Sequence, residues 1–65
     1  MIPRSTLEKL KGEKLRFFIT DLPDPHCVQC GRIQDVTENI IIIKDEDHDQ
    51  LIYLPLEKIV LFKTT

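Results

Sequence analysis

The stretch Gly31–Lys44, GRIQDVTENIIIIK, decides the fold, because it has the pattern of two long strands joined by a turn. Ile40–Ile43 places four β-branched residues in a row, whereas a sheet with one solvated face alternates apolar and polar residues. We therefore expect this strand to be covered on both faces. In a chain of 65 residues, one cover is the core of a small barrel and the other is a helix or a neighbouring subunit.

The bulk composition predicts one globular domain near the lower size limit for an independent core. Domains below roughly 70 residues usually need a disulfide, a metal or oligomerisation for stability. The net charge of −2 provides no general attraction to nucleic acid or anionic membranes, so any basic surface must be local. With two cysteines, no signal-peptide pattern and no membrane-spanning stretch, a soluble cytoplasmic protein without membrane contact is expected.

Working outward from this stretch, we predict a short helix and five strands. Ser5 and Glu8 fit a capping box at the helix start, and Gly12 fits the stop position. The prolines at 23 and 25 interrupt the strand pattern, and Gly31 predicts a bulge or bend. The predicted bounds are a helix at about 5–11 and strands at about 13–20, 27–36, 39–45, 50–54 and 59–63.

The last three predicted strands carry apolar side chains on both faces. In the strand at 59–63, Ile59 and Leu61 oppose Val60 and Phe62. This is more apolar surface than one small interior can absorb, and open edge strands offer a way to bury it against another copy. We therefore predict a homo-oligomer, a closed ring of roughly five to seven subunits built by strand-to-strand addition.

One short helix, five bent strands and a one-turn link before the last strand resemble the Sm-like family. The similarity is greatest to its bacterial Hfq branch, whose pattern G-x-I-x-x-[apolar]-x-x-x-[four apolar]-K fits Gly31–Lys44 without a gap. Gln50–Tyr53 resembles the corresponding Hfq strand, including its Tyr, and the segment from Leu7 to Leu15 is also similar. The resemblance implies a small SH3-like barrel, assembly into a ring and binding of single-stranded RNA.

Several residues depart from the pattern of Hfq at its RNA sites. Asn39 stands where the pore aromatic is expected, and Leu54 and Pro55 replace a Lys-His pair. Thr20 stands where a Tyr stacks on adenines at the opposite face. Losing such stacking removes about 1–3 kcal/mol per base. A shifted alignment with a two-residue deletion instead matches Asp35 and Asn39 to the Asp-x-x-x-Asn of eukaryotic Sm proteins.

Two surfaces are therefore candidates for RNA contact. The resemblance implies a pore-side set of Asp35, Thr37, Asn39 and Tyr53. A basic rim is predicted from the cluster of cations near the helix and first strand, namely Lys9, Lys11, Lys14 and Arg16. The simpler interpretation is a turn residue at Asn39, a subunit contact at Tyr53 and solvated charges on the rim.

A histidine and two cysteines at 26–30 have the chemistry of zinc ligands. Together with His48 in the turn between the third and fourth strands, a site of His26, Cys27, Cys30 and His48 is conceivable. The alternative is an inert thiol pair, and redox chemistry is disfavoured because a strand rather than a helix follows the motif. The acidic segment Asp45–Asp49 lacks the glycine and terminal glutamate of a calcium loop and indicates a solvated hairpin end.

Two functional hypotheses from different classes follow. The first is an Sm-like ring that binds single-stranded RNA. The second is a small β-barrel that acts as a protein-interaction module or structural oligomer without RNA. No set of His, Cys or carboxylate residues has catalytic spacing, so neither an enzyme nor a cofactor is expected.

Overall fold

The computed structural model describes residues 2–64 and shows a mainly β domain with one short helix. No helix within this range is long and apolar enough to cross a membrane. The elements in chain order are helix α1 (Arg4–Lys9), strands β1 (Lys14–Ile19), β2 (Val28–Val36), β3 (Ile40–Asp45) and β4 (Gln50–Pro55), a 3₁₀ turn (Leu56–Lys58) and strand β5 (Ile59–Thr64).

The five strands form one antiparallel sheet in the order β4-β3-β2-β1-β5. Consecutive strands from β1 to β4 pair with one another, and β5 returns to pair with the free side of β1. β4 and β5 occupy the two edges and do not pair with each other, so the sheet is not closed. The mainly β class, the five antiparallel strands and the single short helix are as predicted.

The core lies on one side of the sheet and follows the period-two pattern of the strands. Leu15, Phe17 and Ile19 of β1 are buried, as their shared face predicted. Ile41 and Ile43 of β3 are completely buried, and the rings of Phe17 and Phe62 lie 6.2 Å apart. The remaining buried apolar side chains are Leu7, Ile33, Val36, Leu54, Leu56 and Ile59.

The run Ile40–Ile43 is covered on one face only within this chain. Ile40 remains 38% exposed and Ile42 is half-buried. Helix α1 does not cover this second face, because it packs beside β2 and inserts Leu7 into the core. Within the single chain, helix α1 is therefore not the second cover that was expected for this strand.

The helix start differs from the predicted capping box. Pro3 is the N-cap, Ser5 lies inside the helix, and no side chain caps the exposed amides. Glu8 instead accepts a hydrogen bond from Nε of Arg4 at 2.8 Å, and the two residues form an ion pair across one helical turn. The helix ends at Lys9, and Gly12 adopts a φ of 88° in the turn that follows.

Gly31 does not mark a bulge, which was one of the two features predicted there. The irregularity in the β2–β3 register lies between Ile33 and Asp35, two residues further on. Gly31 is buried, and the backbone of β3 passes close to it. A Cβ atom added at this position would lie only 2.8 Å from the carbonyl oxygen of Lys44. The glycine therefore permits close packing of two central strands.

Candidate functional site

The two edge strands expose most of the large apolar side chains that remain accessible. Tyr53 of β4 and Val60 of β5 are each 60% exposed, and Leu51 and Leu61 are exposed beside them. An edge strand also presents unpaired backbone groups, which makes it a template for another strand. The combination of open backbone and apolar side chains at both edges is the most distinctive surface feature of the domain.

The predicted pore-side residues lie around the turn between β2 and β3 and on β4, but they do not share one cavity. Asp35 is committed to its own chain, because it accepts a hydrogen bond from the amide of Val36 at 2.9 Å and pairs with Lys11 at 3.3 Å. The amide of Val36 and the ammonium of Lys11 both lower the pKa of the Asp35 carboxyl. Thr37 exchanges hydrogen bonds with the backbone of Ile40 and so stabilises the turn.

Asn39 and Tyr53 line two different cavities. The cavity beside Asn39 has a volume of about 340 Å³, and its lining includes Glu38 and Glu57. The other, of about 230 Å³, lies between the end of β1 and β4 and is lined by Tyr53 and Leu22, among others. The first cavity combines two acidic residues with apolar walls, whereas the second is mainly apolar.

The predicted basic rim is split by the structure. Lys9 lies exposed on the helix and Lys11 is paired with Asp35, whereas Lys14 and Arg16 are on the outer face of β1. Each of these two β1 residues lies directly opposite a cation on a neighbouring strand. Lys14 begins a basic row that crosses three strands and consists of Lys14, Arg32 and Lys44. Arg16 lies opposite Lys63 of β5, and we call these two residues the Arg16–Lys63 pair.

The sequence reasoning missed Arg32, Lys44 and Lys63 as part of this surface. Their positions could not be connected without the strand register, although alternation along each strand places them on the outer face. Within the chain, Arg32 pairs with Glu46 at 3.5 Å and Lys44 pairs with Asp49 at 2.8 Å. The ammonium of Lys63 lies 5.4 Å from the ring centroid of Phe18, which is a favourable cation–π distance.

The four predicted zinc ligands are not assembled. Among residues 2–64, no three His, Cys, Asp or Glu side chains form a group that could hold a metal ion. The thiol of Cys27 donates to Oδ1 of Asp24 at 2.8 Å, and this hydrogen bond raises the pKa of the thiol. His48 interacts instead with Asp45, at 2.8 Å from Nδ1 to Oδ2. Cys27 and Cys30 are both free.

The acidic turn, defined here as Asp45–Asp49, is organised by its own side chains. Asp45 accepts a hydrogen bond from the amide of Asp47 and contacts His48, and the contact raises the pKa of His48. Asp49 adopts a φ of 50°, which lets the chain reverse into β4. The carboxylate of Asp47 forms no ion pair with any residue between 2 and 64. This matches the predicted solvated hairpin end.

In comparisons with known proteins, no family model matches the chain, and no curated protein or solved structure is similar to it at a significant level. The surfaces of the domain itself are therefore the guide to its function.

Proposed function

We propose that the protein is an Sm-like, ring-forming homo-oligomer that acts as a non-catalytic interaction module. The observation that carries this proposal is the exposure of apolar side chains on both open edges of one sheet, at Leu51 and Tyr53 of β4 and at Val60 and Leu61 of β5. The sequence resemblance to the Sm-like family adds support for the fold and the mode of assembly.

The position of these edges favours a ring. Each copy has one β4 edge and one β5 edge on opposite sides of the sheet, so β4 of one copy can pair with β5 of the next. Such a head-to-tail interface repeats around an axis and closes into a ring when the rotation allows it. A neighbour would also cover the exposed face of β3, which this chain leaves open at Ile40.

Light scattering coupled to size exclusion tests the proposal directly. The expected mass is a multiple of the 7.6 kDa chain at micromolar concentration. Val60→Lys places a charge on the exposed β5 edge and should shift the wild-type peak towards monomer, whereas Ser5→Lys on the exposed helix surface should not. A wild-type protein that is a folded monomer over the whole concentration range would refute the proposal.

Single-stranded RNA is the second candidate, as a ligand of the ring. The cavity of about 340 Å³ beside Asn39 favours it, because a ring would repeat this cavity near its centre and multiply a weak contact. Glu38 and Glu57 at the same cavity oppose it, since their carboxylates repel phosphates. A protein partner without RNA is the corresponding alternative.

Fluorescence anisotropy with U-rich and A-rich oligonucleotides tests RNA binding. If RNA binds at the cavity, Glu57→Gln should strengthen binding by reducing repulsion, and Asn39→Ala should weaken it. Glu13→Gln, the same charge change at an exposed residue away from the cavity, serves as the control. Absence of salt-dependent binding at micromolar protein would exclude this candidate and leave the protein-interaction module.

A further inference from the structure

We propose that the acidic turn of one copy contacts the Arg16–Lys63 pair of the next copy and thereby fixes the register in which β4 pairs with β5. This inference rests on the proposed function, since it concerns the interface through which the copies assemble. It assigns a specific role to the Asp47 carboxylate and to Arg16 and Lys63, which form no ion pair among residues 2–64.

The face that each β4 side chain presents is set by its pairing with β3. Leu51 and Tyr53 lie on the outer face of the sheet, whereas Ile52, which pairs with the buried Ile43, faces the core. Directly opposite residues of antiparallel strands lie on the same face, so a partner strand must alternate in the same way.

The outer half of β5 alternates in the matching sense. Phe62 pairs with the buried Phe17 and faces the core, and Lys63 pairs with Arg16 on the outer face. Leu61 likewise pairs with Phe18, outside the core. The core-facing and outer-facing residues of β4 and β5 can therefore be matched across an interface.

Among the antiparallel registers that keep core-facing residues opposite one another, one joins the partly buried core-facing residues of the two edges. It places Ile52 opposite Phe62 of the neighbouring copy, which joins two side chains that are each only partly buried against their own core. The same register places Tyr53 opposite Leu61 and Leu51 opposite Lys63. A shift of two residues towards the end of β5 would put Tyr53 opposite Lys63 and lose the Ile52–Phe62 contact.

In this register the interface brings positive charges together. The basic row ends at Lys44, next to Leu51 on β4, and the neighbour would add Lys63 and then Arg16 to the same line. Arg16 and Lys63 lie directly opposite each other on adjacent strands, and like charges in that arrangement destabilise a sheet. The interface is therefore stabilised if it brings carboxylates to these two cations.

The acidic turn can supply these carboxylates, because it immediately precedes β4. Antiparallel pairing places it beside the C-terminal end of the neighbouring β5, where Lys63 lies. Neither Arg16 nor the carboxylate of Asp47 forms an ion pair among the described residues, so both are available. Parallel pairing would place the turn beside Ile59 instead, away from these cations.

The test exchanges the charges at Lys63 and Asp47. Dissociation of the oligomer is followed by analytical ultracentrifugation over a dilution series. Lys63→Glu and Asp47→Lys should each raise the dissociation constant per interface by about fivefold, as expected for the loss of one exposed ion pair and the gain of a like-charge contact. The double variant, which exchanges the two charges, should return to within about twofold of wild type. Raising the salt concentration should weaken the wild-type assembly.

Lys9→Glu is the matched control, because it makes the same change in net charge on an exposed helix residue. An equal loss of assembly in this control, or a double variant no better than the single ones, would overturn the inference. If wild type forms an oligomer that Lys63→Glu leaves unchanged, the charge contact is wrong but the edge-strand oligomer stands. A wild type that remains monomeric overturns both.

Discussion

A Cβ atom at Gly31 would lie 2.8 Å from the carbonyl oxygen of Lys44, so the two ends of the stretch that decides the fold are held in close backbone contact. We expect Gly31→Ala to lower the free energy of unfolding by about 1–3 kcal/mol, because the added methyl group forces two central strands apart. Cys30→Ala, at the exposed neighbouring position, should change it by less than about 0.5 kcal/mol. Urea unfolding measures both, and a neutral Gly31→Ala would contradict the close approach.

Leu7 is the anchor of helix α1, since its side chain is completely buried. Leu7→Ala should cost about 2–4 kcal/mol of unfolding free energy through lost burial and a residual cavity. Ser5→Ala should have little effect, because Ser5 lies inside the helix and no side chain caps its start. Thermal unfolding followed by circular dichroism compares the two, and a large loss in Ser5→Ala would restore the capping box that the sequence suggested.

The Asp45–His48 contact should make the stability of the β3–β4 hairpin depend on pH. The carboxylate raises the pKa of His48 above its ordinary 6.5. The stabilisation from this contact is therefore fully present below pH 6.5, and it is lost as the pH rises through the raised pKa of His48 in the folded protein. We expect the unfolding midpoint to decrease across this window in wild type and His26→Gln, but to be flatter in His48→Gln. Identical profiles for the two variants would exclude the contact.

The thiol of Cys27 should react slowly with alkylating reagents, because the hydrogen bond to Asp24 raises its pKa and disfavours the thiolate. In a Cys30→Ser background, Asp24→Asn should increase the iodoacetamide rate several-fold near neutral pH by removing the negative charge. Asp21→Asn, in the same loop, should leave the rate unchanged. A rate that is insensitive to Asp24→Asn would show that this hydrogen bond does not control the thiol.

The strands were largely predictable, since alternation of apolar and polar residues is a local signal. Leu15, Phe17 and Ile19 share the buried face that their spacing predicted, and all five strands occur within two residues of the expected bounds. The helix start was wrong because Ser5 and Glu8 satisfy a capping pattern that Pro3 and Arg4 override. Local propensity cannot reveal which of two adjacent residues begins a helix.

The candidate site was harder to predict, because it depends on residues brought together across strands. Lys14 and Arg32 are distant in sequence, and only the β1–β2 register makes them neighbours. The candidate zinc ligands, likewise, do not lie together as a group of three or more among residues 2–64. His48 is held by Asp45 within its own turn, and spacing along the chain gave no information about that competing contact.

The sequence by itself determined the mainly β class, the buried face of each central strand and the excess of apolar side chains, because side-chain period and composition are properties of the chain. Only the tertiary structure decided that the sheet remains open, with Tyr53 and Val60 exposed at opposite edges. The order of strands and their register depend on packing between distant segments, and these determine which apolar and charged side chains are left for a partner.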